Sequence, residues 1–178
     1  MVEAIGEHSN LTAEVSIGRE RFLAMVVGSL NDVLSDTVGP REVEGFVNLV
    51  GMAVAEQILA RYLAAAGTAR LDLSATLDAL LDWNRDLGGD IAISERSEKK
   101  VVLDDRRCPF LGFGLDSRAM CRMTSHVIGH MVAESQGYGR VTLADRASRG
   151  SRGCRIVIDL EPNACDGGGQ SYYAKGDR

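Results

Sequence analysis

At 178 residues, with 45% apolar and 25% charged side chains, the chain has the composition of a folded domain long enough to bury its own core. Twenty basic residues stand against 25 acidic ones, and the net charge of −5 excludes a global attraction to nucleic acid or to an anionic membrane surface. Aromatic content of 5% with one tryptophan is thin for a base-stacking platform, and neither a run of about eighteen apolar residues nor a signal-like N-terminus is present.

The expected compartment is therefore the cytoplasm, where the four cysteines would serve as thiols, metal ligands or redox sensors rather than as structural disulfides. Direct nucleic-acid binding and membrane association are not expected.

Residues 1–10 read as a flexible lead-in. From Ile17 to Leu34, Phe22, Met25, Val26, Leu30, Val33 and Leu34 recur at helical spacing. "TVGP" breaks the pattern, and Pro40 is placed to open a second helix over 41–66. Its stripe of Val43, Phe46, Val47, Val50, Val54, Ile58 and Tyr62 is broad. That implies deep packing or a homodimer through this helix, with Glu42, Glu44, Asn48, Gln57 and Arg61 kept off the stripe. Gly67 is its expected stop. Ser74 is the expected cap of a third helix, "SATLDALLDWNRDL".

The period then changes. "DIAISERSEKKVVLDD" alternates and reads as a hairpin of 90–95 and 99–104 turning at "RSEKK". A loop rich in Gly, Pro and Phe follows over 106–117, then a fourth helix over 118–136. Strands are expected at 139–145 and 154–160. Residues 161–178 read as a disordered tail. The order predicts a single α+β domain over 11–160, with an antiparallel sheet of about four strands packed on helices. No P-loop or dinucleotide-binding glycine motif is present.

Four groups of residues could carry chemistry. Cys108, Cys121 and Cys154 each sit near the end of a different element, so a three-thiolate site for zinc or an iron–sulfur cluster is geometrically possible. The gaps between them contain no C-x-x-C knuckle, and free cysteine is also a common small core residue. Placed in the first helical turn beside Arg122, Cys121 would have a lowered pKa.

His126 and His130 share a helix face at i,i+4, a spacing that metal clamps use. Arg122, His126, His130 and Glu134 together instead read as a solvated polar row. Cys121 lies about 140° around the helix from His126, too far to share one ion easily. Met120, Met123, Thr124 and Met131, with Phe110 and Phe113 from the preceding loop, could line an apolar ligand pocket or simply fill the core. Arg146, Arg149, Arg152 and Arg155 could hold an anion, or face water. Neither G-x-S-x-G nor H-E-x-x-H occurs. No catalytic residue is assigned, and an enzyme using Cys121 on a small apolar substrate is the least favoured reading.

The stretches "CPF", "MCRMTSHVIGHMVAESQGYGRVTL" and "GCRIVIDL" resemble the methanogen output domain, similar in layout to 4-vinyl-reductase-type sensory domains. The resemblance covers residues 43–160. It implies a regulatory sensory or output module, with Cys108, Cys121 and Cys154 as candidate metal or cluster ligands and a cavity for a small apolar ligand. The implied partners are a histidine kinase, a response regulator or a transcription factor. A dimeric assembly module with structural cysteines is the alternative.

Overall fold

The computed structural model describes residues 18–110, 117–144, 154–162 and 168–176. The described residues open with two long helices, α1 (Arg19–Val38) and α2 (Pro40–Ala66), which meet at Gly39. The positive φ of 93° at Gly39, a conformation an L side chain resists, makes the corner, and Pro40 starts α2. Helix α3 (Leu73–Asp86) is capped by Asp72, whose Oδ1 accepts from Ala75 N at 2.8 Å. Asp72 thus corrects Ser74 as the cap: a carboxylate two residues earlier reaches the orphan amide, and Ser74 already lies inside the helix.

Strands β1 (Asp90–Arg96) and β2 (Lys100–Arg107) form the expected hairpin. Helix α4 (Ser117–Gln136) leads into β3 (Tyr138–Ala144), and β4 (Cys154–Asp159) and β5 (Gln170–Tyr173) complete the sheet. The order is β1-β2-β4-β3-β5, every neighbour antiparallel. This is the α+β arrangement the sequence implies, with a fifth strand. Residues 170–173 are not a disordered tail: they pair with β3, and Tyr172 is buried. The polar, glycine-rich segment ahead of them hides a four-residue strand that alternation cannot reveal.

The inward face of the sheet aligns Val101 and Leu103 of β2 with Ile158 and Ile156 of β4, and these with Val141 and Leu143 of β3. Helices α3 and α4 cover it through Leu77, Leu80, Val127, Ile128, Met131 and Val132. Helix α4 is the centre of the fold, with β3 and β5 on one side and α2 on the other.

The broad stripe of α2 is split. Gly51, Ala55 and Leu59 are buried, with Val54, Ile58 and Tyr62 packed against the core, whereas Phe46 and Val50 are about half exposed. By length and apolar content α2 also meets the minimum for crossing a membrane. Asn48, Glu56 and Gln57 interrupt the apolar run, and its buried face packs on α4.

Candidate functional site

Only the two ends of the polar row of α4, Arg122 and Glu134, reach solvent. His126 and His130 are buried, because α2 lies over them. Arg122 pairs with Glu44 of α2. His126 Nε2 lies 2.8 Å from Asn48 Oδ1. Gly51 provides the close approach: a Cβ there would stand 2.9 Å from the His126 ring. With Asn48 Oδ1 accepting, His126 Nε2 carries the proton, and its buried Nδ1 has no hydrogen-bond partner among the described residues.

Burial holds the His126 imidazole below its ordinary pKa, and the Arg122 guanidinium pushes the same way. Burial also lowers His130, while Glu134 and Glu56 pull it up and Lys175 pulls it down. At the far end, Lys175 Nζ pairs with Glu56 and its backbone N–H donates to Glu134 at 2.8 Å. Polar residues of α2 excluded from the stripe, Glu44 and Asn48, are thus those that meet α4.

On the sheet side of α4, the Tyr172 ring lies against Gly129, makes an edge contact with His126 at 5.4 Å and bonds Ser125 Oγ through its hydroxyl at 3.0 Å. Burial pushes the Tyr172 hydroxyl up to about 12, against the lowering bond from Ser125. Glycines at 51 and 129, each inside an apolar helical pattern, were the available sequence signals for these close contacts.

The cysteines lie at the other end of α4. Cys108, Cys121 and Cys154 are half-buried, and none forms a disulfide. Because α4 begins at Ser117, Cys121 opens its second turn, beyond the strongest part of the helix dipole. Cys154 is opposite Asp105 in register, its Sγ 4.0 Å from Asp105 Oδ2. Burial raises the Asp105 carboxyl to about 6; the Arg107 amide opposes this and Asp90 adds to it. Among the described residues, no group of three or more His, Cys, Asp or Glu side chains is gathered as a metal ion would require.

Phe113, Cys165, Arg146, Arg149 and Arg152 lie outside the described residues. Arg155 pairs with Asp104 at 3.1 Å on the outer face of the sheet.

A cleft of about 500 Å³ opens at the C-terminal end of α4. Met131, Leu59, Leu63 and Leu71 give it an apolar floor, and Arg70, Glu134 and Lys175 stand at its edge. Arg70 Nε and Nη2 both donate to the Ser135 carbonyl, which ties the α2–α3 connection to the end of α4. The segment Ala174–Gly176 after β5 forms the remaining wall. Of the residues expected to line a pocket, Met131 does so here. Phe110, Met120, Met123 and Thr124 are half-buried towards the cysteine end, and Thr124 Oγ1 donates to Met120 O at 3.0 Å.

The profile of the methanogen output domain 1 family matches residues 26–159. The chain belongs to that family. Its helix–hairpin–helix–strand core is the matched part, and β5 lies beyond it. Among solved structures, the fold is similar to trafficking protein particle complex subunit 3 from Naegleria fowleri, a structure described as covalently bound to palmitic acid. The TM-score is 0.50 at 16% identity, over 80% of this chain and 95% of that one, and the likeness is one of fold. No curated protein matches the chain.

Proposed function

We propose that this methanogen output domain is a regulatory sensory module that takes a small, apolar-bodied anion in the cleft at the C-terminal end of α4. The observation that carries the reading is the cleft itself. Its volume falls within the usual range for ligand sites, and its apolar floor, with the two cations Arg70 and Lys175 outnumbering the one carboxylate of Glu134 at the edge, suits a hydrocarbon body with a carboxylate head. Its walls are α2, α4 and the segment after β5, so an occupant contacts all three.

In this reading, occupancy shifts α2 against α4, and the outer face of α2 presents the change to a protein partner. The membership in an output-domain family supports the regulatory part. Cys108, Cys121 and Cys154 are not among the residues that line this cleft.

The test is displacement of anilinonaphthalene sulfonate, itself an apolar body with an anionic head, by decanoate. Ala174→Trp fills the cleft from its wall. Saturable displacement by decanoate that Ala174→Trp abolishes, with the far-UV circular dichroism unchanged, is the expected result. Displacement unaffected by Ala174→Trp, or no probe binding to the wild type, removes the proposal.

A further inference from the structure

Helix α1 presents its large side chains outwards. Its row towards α2 is small or polar: Ala24 is buried and Gly28, Asn31 and Ser35 are half-buried. Phe22, Leu23, Leu30 and Val33 are between 54% and 61% exposed. Eight large apolar side chains of this one helix stand exposed, and Phe46, Leu49 and Val50 continue the face on α2. So many large apolar side chains exposed on two adjacent helices are unusual on a monomer and mark an interaction surface.

The charges of α1 indicate what covers it. Arg19 and Arg21 lie in its first turn and Asp32 and Asp36 towards its end, where no basic residue occupies the last turn. Glu20 apart, this distribution opposes the helix dipole, so it does not serve the helix alone. At about 100° per residue, Arg21, Asp32 and Asp36 fall within one arc of about 60° beside the apolar face.

Two copies related by a two-fold axis across the helix run antiparallel, and each flank meets the same flank of the other copy. Arg21 then stands opposite Asp32 and Asp36 of the partner subunit, twice per dimer, around a shared core of Phe22, Leu30 and Val33. A parallel pair, whose two-fold axis runs along the helices, would set this flank against the opposite flank of the other copy and would not bring Arg21 to Asp32 and Asp36. A membrane surface is disfavoured, because acidic residues outnumber basic ones along both α1 and α2.

We infer that the exposed α1 face is a homodimer interface, with the two α1 helices packed antiparallel and Arg21 paired to the acidic end of the other copy.

The test is light scattering after size exclusion and sedimentation equilibrium on the full chain. The wild type is expected to be a dimer. Leu30→Glu, at an exposed position, should raise the dissociation constant about a hundredfold or more with an unchanged circular dichroism spectrum, since the loss occurs on both copies. Arg21→Asp should weaken the dimer, and combining it with Asp32→Arg and Asp36→Arg should restore it.

A monomeric wild type overturns the inference, whether the face then proves to bind phosphatidylcholine vesicles or to be covered by residues 1–17. A dimer indifferent to Leu30→Glu overturns the assignment to α1. Failure of the triple reversal to restore what Arg21→Asp loses overturns the antiparallel pairing.

Discussion

Gly129→Ala is a demanding test of the packing around α4. A Cβ at this position would stand 2.1 and 2.2 Å from Cδ2 and Cε2 of Tyr172. Ordinary carbon contacts begin near 3.5 Å, so the ring must retreat by more than about 1 Å. The ring is held by a four-residue edge strand, and moving that strand is the easiest relief. Expelling the ring forfeits about 2–3 kcal/mol of burial and about 1 kcal/mol for the Ser125 hydrogen bond. Alanine returns about 1 kcal/mol of helix propensity. The net expected loss is about 2–3 kcal/mol.

Tyr172→Ala alone should cost about 3–4 kcal/mol. In the double variant nothing remains for the methyl to meet, so its stability should match or slightly exceed that of Tyr172→Ala. The coupling is then about 3 kcal/mol. Urea unfolding followed through Trp83 fluorescence, at one protein concentration, measures all four corners of the cycle. A Gly129→Ala variant stabilised by about 1 kcal/mol, as helix propensity alone dictates, would refute the reasoning. So would simple additivity.

Burial depresses both His126 and His130, so the stability they support is complete above the unfolded value near 6.5 and is lost as pH falls through their folded values. The urea midpoint should drop between pH 6.5 and 5, and His126→Gln, which cannot ionise, should make that drop shallower; an unchanged slope would show that His126 is not a neutral buried group. Asp105 has the opposite sign. Its carboxyl, raised to about 6, is best accommodated when protonated, so its contribution is full below about 3.9 and is lost as pH rises through about 6. Asp105→Asn should therefore stabilise the protein at pH 7.5, by up to about 3 kcal/mol, and have little effect at pH 4. Equal effects at both pH values in urea titrations would count against a buried, ionising Asp105.

Local signals carried most of the architecture. The 3.6-residue stripes, Pro40, Gly67 and the alternation through 90–104 mark four helices and a hairpin that the structure contains. What stayed hidden was set by tertiary approach. Tyr172 is a single buried residue on a short edge strand in a polar segment, and only Gly129 on a distant helix makes room for it. His126 and His130 lie on a face whose residue types suit water, and they are buried because Gly51 lets α2 come close. The α2 stripe mixed residues that face the core with residues that face outwards, since an apolar arc records burial against any surface and does not say which one. The cleft likewise depends on Arg70 and Lys175, which sit far apart in sequence beside unremarkable neighbours.

The α2–α4 seam gives the proposed module a physical route between its two ends. One edge of α2 holds Asn48 against His126, and Glu56, near its middle, holds Lys175 beside the cleft. Its outer side carries Phe46 and Val50 beside the exposed face of α1. Sliding α2 along α4 by even part of a turn would take Gly51 off His126 and set a side chain against the ring. The seam therefore resists small displacements and favours discrete arrangements over a graded series. A ligand wedged between Leu63 and Met131 can bias such an equilibrium only by the difference in its affinity for the arrangements. Gly51→Ala forces the same separation without a ligand. If the seam couples the two ends, that single methyl should change decanoate affinity at the cleft and the dimer dissociation constant together. A change in one without the other would mean that the two surfaces share a helix but not a conformational equilibrium.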